Sequence, residues 1–182
     1  MALRKASSYS KMRARPYTRN SRNKSKAYIK TIPQNKIVKY TVGSQKDYEA
    51  GKHNFTVRLL SEESVQIRDN SLEAGRMLLT KILDAEIPGQ YYMMIKVHPH
   101  HLIRENKSAA AVAGADRIST GMTQSFGVVI GRAALVKPGQ EIFFISCTNE
   151  KAARIAKEAL ISIRAKVACK TKIVFFKRAH ES

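Results

Sequence analysis

The stretch from His98 to Met122 constrains this chain more than any other. It separates two apolar, strand-like runs, Tyr91 to Val97 and Phe126 to Val136. It has neither clear strand alternation nor a convincing helix stop. Connections in compact domains are mostly about 4–6 residues long, and much longer ones are functional or disordered. This one carries Arg104, Lys107 and Arg117, a run of small residues from Ser108 to Ala115, and glycines at 114 and 121. Small residues let backbone approach another surface closely, and glycine tolerates positive φ. The stretch reads as an arm, about 104–121, held out by a body that aims it.

The body must tolerate an uneven charge. The 182 residues hold 33 Lys and Arg against 14 Asp and Glu, a formal net charge of +19. Self-repulsion on that scale destabilises a compact chain unless counter-charge is supplied. A phosphate backbone supplies it most directly. A membrane is the other common polyanion, but no apolar run approaches the roughly 20 residues of a spanning helix, and no membrane partner is expected. The first residues are charged and lack the apolar core of a secretory signal. Cys147 and Cys169 form neither a disulfide framework nor a metal-ligand spacing. A reducing, cytoplasmic setting fits.

The charge is concentrated at the start. Residues 1–35 hold Arg4, Lys5, Lys11, Arg13, Arg15, Arg19, Arg22, Lys24, Lys26 and Lys30, and the first acid in the chain is Asp47. Tyr9, Tyr17 and Tyr28 are interspersed, and Pro16 and Pro33 oppose a continuous helix. Such a tail neutralises phosphates with its cations while its tyrosines stack or hydrogen-bond. The other reading is a solvated, disordered leader.

From residue 36 to the end, a single α+β domain is expected. Val38, Tyr40 and Val42 alternate as one strand, and Phe55, Val57 and Leu59 as the next. Asn70 opens a helix to about residue 86, with Glu73 three positions on in a capping-box arrangement. Its buried stripe is Leu72, Gly75, Leu78, Leu79 and Ile82. Tyr91 to Val97 is a strand with Tyr91, Met93, Ile95 and Val97 on one face. Beyond the arm, Phe126 to Val136 is a strand bent at Gly127 and Gly131. A Lys137-Pro138-Gly139 turn and a buried strand, Glu141 to Cys147, follow. A helix runs from Asn149 to about Val167 with Ala152, Ile155, Ala156, Ala159 and Ile163 inward, and a last strand from Lys172 to Lys177. The layout is β-β-α-β, arm, β-β-α-β: a two-layer sandwich of a mixed sheet with both helices on it. The core stripes all lie in the body, so it is expected to fold without the tail.

His98, His100 and His101 invite a metal, but their spacing matches no zinc signature and no cysteine is near in sequence. No metal or other cofactor is expected. Asp116 beside Arg117 reads as a local ion pair shaping the arm. There is no G-x-S-x-G elbow and no phosphate-cradling G-K-S/T loop. Two other function classes make different demands on the chain. An RNA-modifying enzyme needs a cofactor loop or a convergent acid/base set. A chromatin-like DNA binder needs a free recognition helix or minor-groove wedge, whereas these helices are spent on the core.

Lys96 to Glu141 carries K-V-H-P-H-H-L-I-R-E-N-K, then A-G-A-D-R-I-S-T-G-M, S-F-G and A-A-L-V-K-P-G-Q. With a Val65–Ala74 segment read as a helix run and the leader R-P-Y-T-R, this pattern resembles the large-subunit ribosomal protein family called L-ten-e in archaea and eukaryotes, counterpart of bacterial L-sixteen. An archaeal member fits best. The resemblance implies an α/β-hammerhead-type fold and a non-enzymatic role in the large subunit. It also implies binding to its ribosomal RNA beside the peptidyl transferase centre, near tRNA at the aminoacyl and peptidyl sites and among neighbouring ribosomal proteins, without homo-oligomers. The residues expected to touch RNA are Arg4, Lys5, Lys11, Arg13, Arg15, Tyr17, Arg19, Arg22, Lys24 and Lys26 in the tail. In the arm they are Arg104, Asn106, Lys107 and Arg117.

Overall fold

The computed structural model describes residues 5–11, 25, 32–105 and 128–177. Strands β1 (Thr41–Gly43), β4 (Tyr91–Ile95), β7 (Glu141–Cys147), β2 (Phe55–Ser61) and β8 (Thr171–Lys177) form one sheet, in that spatial order. Strands β3 (Val65–Arg68), β6 (Val128–Val136) and β5 (His101–Glu105) form a second. Every pairing is antiparallel. The α+β class stands, but two antiparallel sheets replace the expected single mixed one. Each strand is antiparallel to its neighbours, yet β7 and β8 flank β2 in the same direction and are joined by a helical crossover, as a pair that runs the same way requires.

Three helices complete the described residues: α1 (Gln45–Glu49), α2 (Asp69–Glu86) and α3 (Glu150–Ser162), the last continued by a 3-10 turn at Ile163–Lys166. α3 lies on β2, β7 and β8, while α2 packs beside α3 and reaches β3, β6 and β4. The core is where these faces meet. Val57, Leu59, Leu72, Leu79, Leu83, Met93, Phe143, Ile145, Leu160 and Ile163 are fully buried there. Burying each such side chain contributes about 1.5–3 kcal/mol. Leu83 completes the α2 stripe, and Leu78 and Ile82 are only partly buried against it.

Several expected boundaries move. The residues before Thr41 are not a strand, because other partners take their backbone donors. The Lys36 N–H meets the Asp69 carboxylate at 3.2 Å and the Val38 N–H meets Glu73 at 3.3 Å. Val65–Arg68 is strand, not the start of the helix. Helix α2 begins at Asp69, which accepts the Asn70 N–H at 2.8 Å, so Asn70 is not its cap. His101–Glu105 is a strand within what reads as arm. Its hydropathy does not alternate, since Leu102 and Ile103 on opposite faces are both buried. The bend near Gly131 is real: Ile103 pairs with Gly131 and Arg104 with Val129, leaving Ile130 bulged.

The basic tail does not wholly leave the body. A 3-10 turn at Ala6–Tyr9 leads to a backbone bridge between Lys11 and Val65 on the outer edge of β3.

Candidate nucleic-acid interface

The small sheet positions the expected RNA-contacting residues that lie within the described region. Lys5 and Lys11 are exposed. Lys11 is held at the β3 edge, where the Gln66 N–H donates to Ser10 at 3.0 Å and the Gln66 side-chain amide donates to the Lys11 carbonyl at 2.9 Å. Arg104 sits on β5, the opposite edge strand, half-buried and across from Val129. In register, Lys11 lies beside the Val136 end of β6 and Arg104 beside its Val128 end. Tail and arm root therefore flank one three-stranded sheet at diagonally opposite corners. Arg4, Arg13, Arg15, Tyr17, Arg19, Arg22, Lys24, Lys26, Asn106, Lys107 and Arg117 lie outside the described residues, as does the arm beyond Glu105.

At the arm root the structure assembles groups that sequence reading treated separately. Arg132 on β6 donates through Nε to the Pro33 carbonyl at 2.6 Å, tying the end of the tail to the small sheet. Tyr40 stacks on His98, with centroids 5.3 Å apart and rings 9° from parallel, and His98 meets His100 at 4.1 Å. Asn35 donates to the Tyr40 hydroxyl at 2.7 Å. Burial raises the Tyr40 pKa against the opposing pull of Asn35 and Arg132. Burial, then the charges of His100 and Arg132, lowers that of His98. Tyr40 and His98 thus form a stacked pair, with His100 tilted against it and a guanidinium nearby, an arrangement that can stack on bases and donate hydrogen bonds. His101 does not join them. It is buried on β5, its pKa lowered by burial and by the Arg104 charge. A metal reading of this triplet gains nothing from the geometry.

Nucleophilic chemistry has no footing in the described cysteines. Burial pushes the Cys147 thiol up to about 12 and also raises Cys169, and a thiol held protonated is a poor nucleophile.

The family described as ribosomal protein L16p/L10e matches residues 12–174. The chain belongs to that family. It is 40% identical to the large ribosomal subunit protein uL16 of Staphylothermus marinus over 176 residues, covering 96% of this chain and 94% of the relative. It is 42% identical to that of Methanococcus maripaludis, covering 93% of each, and 40% identical to that of Halobacterium salinarum, covering 87% of this chain and 86% of the relative. All three sources are archaea. The chain is thus a ribosomal protein, a structural and non-enzymatic constituent of the large subunit in the cytoplasmic ribosome. The resemblance read from the G-A-D-R and F-G block pointed to this family.

Proposed function

We propose that this family member binds large-subunit ribosomal RNA beside the peptidyl transferase centre and supports tRNA positioning and subunit assembly. The observation that carries the reading is the distribution of charge: a net +19 with no acid before Asp47, in a chain whose relatives are large-subunit proteins. Residues 1–35 act as the RNA-binding tail, with Arg4, Lys5, Lys11, Arg13, Arg15, Tyr17, Arg19, Arg22, Lys24 and Lys26 on phosphates and bases. The domain from residue 36 to 182, of the α/β-hammerhead type, carries the arm at about 104–121. There Arg104, Asn106, Lys107 and Arg117 face tRNA at the aminoacyl and peptidyl sites. The mechanism is neutralisation and placement: cations offset phosphate repulsion, and the small sheet fixes where the arm begins.

The partners are ribosomal RNA, tRNA and neighbouring ribosomal proteins, with the chain present as a monomer. The expected result is co-sedimentation of tagged protein with large subunits, lost steeply as salt rises. Sedimentation as free protein at moderate salt contradicts the proposal.

A further inference from the structure

The five-stranded sheet has a second face that α2 and α3 do not use. In an antiparallel sheet, residues directly opposite one another share a face, and alternate residues along a strand share it too. The register therefore places Met94, Phe144, Arg58 and Val174 in one row and Tyr92, Ser146, Thr56 and Phe176 in another, both away from the Met93, Ile145 and Val57 row in the core. At the β4 end, α1 covers the face. Tyr48 stacks on Tyr92 at 4.6 Å and meets the Phe144 edge at 5.9 Å. Toward β8 the cover stops. Phe176 is 48% exposed. The Arg58 guanidinium lies between two rings, 5.7 Å from the Phe144 centroid and 4.9 Å from that of Phe176. The Lys96 ammonium stands 5.1 Å from Phe144, and Lys172 is exposed four positions from Phe176 on β8. Beyond these rows, Glu141 opposite Leu60 is paired to Arg58 at 2.8 Å.

We propose that this face is a stacking site for an unpaired nucleotide of large-subunit ribosomal RNA, its base on Phe176 and Arg58 and its phosphates at Lys172. This rests on the RNA-binding reading above, but the surface is separate from the tail and the arm. Charge decides the occupant. Asp47 and Glu49 sit on α1 at the β4 end, and Arg58 and Glu141 offset each other, so Lys96 and Lys172 leave the part of the face beyond α1 with a positive balance, which suits a polyanion. A protein strand added to β8 is disfavoured by Lys172 and Lys177 at the ends of that edge. An exposed aromatic flanked by cations is the sequence-tolerant means of holding single-stranded nucleic acid, because every base offers a π-face.

Full-length protein, wild type and Phe176→Leu, is titrated with purified large-subunit ribosomal RNA and with a single-stranded uridylate oligomer. Phe176→Leu keeps apolar bulk and loses the ring, and is expected to bind both about fivefold to 100-fold more weakly. The slope of log affinity against log salt should stay unchanged, since no charge is lost. Phe176→Tyr keeps a π-face and is expected to bind as wild type does. Lys172→Ala should make the slope shallower by about 0.7–0.9. A photoreactive benzophenone side chain at position 176, carried into large subunits, should crosslink to ribosomal RNA. Unchanged affinity in Phe176→Leu, or a crosslink to a neighbouring protein instead, overturns the site while leaving the proposed function standing. Wild-type protein that binds no ribosomal RNA overturns that function and this site with it.

Discussion

The side-chain amide of Gln66 donates to the backbone carbonyl of Lys11 at 2.9 Å, across 55 positions of sequence. Beside it the Gln66 N–H donates to Ser10 at 3.0 Å. These two bonds make the start of the basic segment an added partner for the edge of β3. Each such bond contributes about 0.5–1.5 kcal/mol net. Removing residues 1–11 should therefore lower unfolding free energy by about 1–3 kcal/mol and leave a free strand edge prone to association. Urea denaturation and light scattering measure both. An unchanged midpoint would show that the segment only rests on the body, as its composition alone suggests.

Gly43 tests the turn that opens the five-stranded sheet. Its φ is +96°, and a Cβ there would collide with the Tyr91 carbonyl oxygen, held close by the Ser44 N–H at 2.9 Å. Gly43→Ala should destabilise by about 2 kcal/mol or more, from left-handed strain and the clash together. Thermal melting reads the loss. A wild-type melt would mean that β1 frays without consequence.

Acid should weaken the fold in two windows. His53 is buried, with neither ring nitrogen hydrogen-bonded among the described residues, and burial lowers its pKa below 6.5 against the pull of Asp47 and the Ser146 backbone. His101 is lowered likewise. The unfolded chain binds these protons first, so the stability from neutral imidazoles is complete above about pH 6.5 and is lost as pH falls further. Glu73, lowered by its Arg76 hydrogen bonds, acts in the same direction below its ordinary 4.5. Melting temperature should drop between about pH 7.5 and pH 5.5, less so in His53→Leu, and again in deeper acid. A flat profile from neutral to mildly acidic pH would contradict the burial of neutral imidazoles.

Much of the frame can be read from residue patterns, and the failures have physical causes. β2 and the two long helices declare themselves because each turns one face to the core, as Val57–Leu59 and Ala152–Ala156–Ala159 do, and β7 because it is a continuous apolar run buried on both faces. β3 does not, because its buried Gln66 is polar and donates its backbone N–H to Ser10 and its side-chain amide to Lys11, contacts no local window contains. β5 hides for a related reason: Leu102 and Ile103 are buried on both faces, so alternation vanishes beside the histidines. The stacked Tyr40 and His98 come from segments just outside β1 and β4, and Arg58 beneath Phe176 from strand register, neither from sequence neighbours. The tail and arm cations were legible as charge alone.

The tail cations predict a salt dependence. Replacing Arg13, Arg15, Arg19 and Arg22 with Ala should make the log–log salt slope of RNA binding shallower by roughly two to four units, at about 0.7–0.9 per phosphate contact. An unchanged slope would leave these arginines solvated.

The central claim is that a folded body aims an arm at the tRNA-binding centre. The most direct measurement replaces residues 106–117 with a short Gly-Ser linker and follows peptide-bond formation by purified large subunits carrying the variant. The account predicts normal incorporation by sedimentation and slowed peptide-bond formation. Normal incorporation with wild-type rates, or failure to incorporate at all, would contradict it.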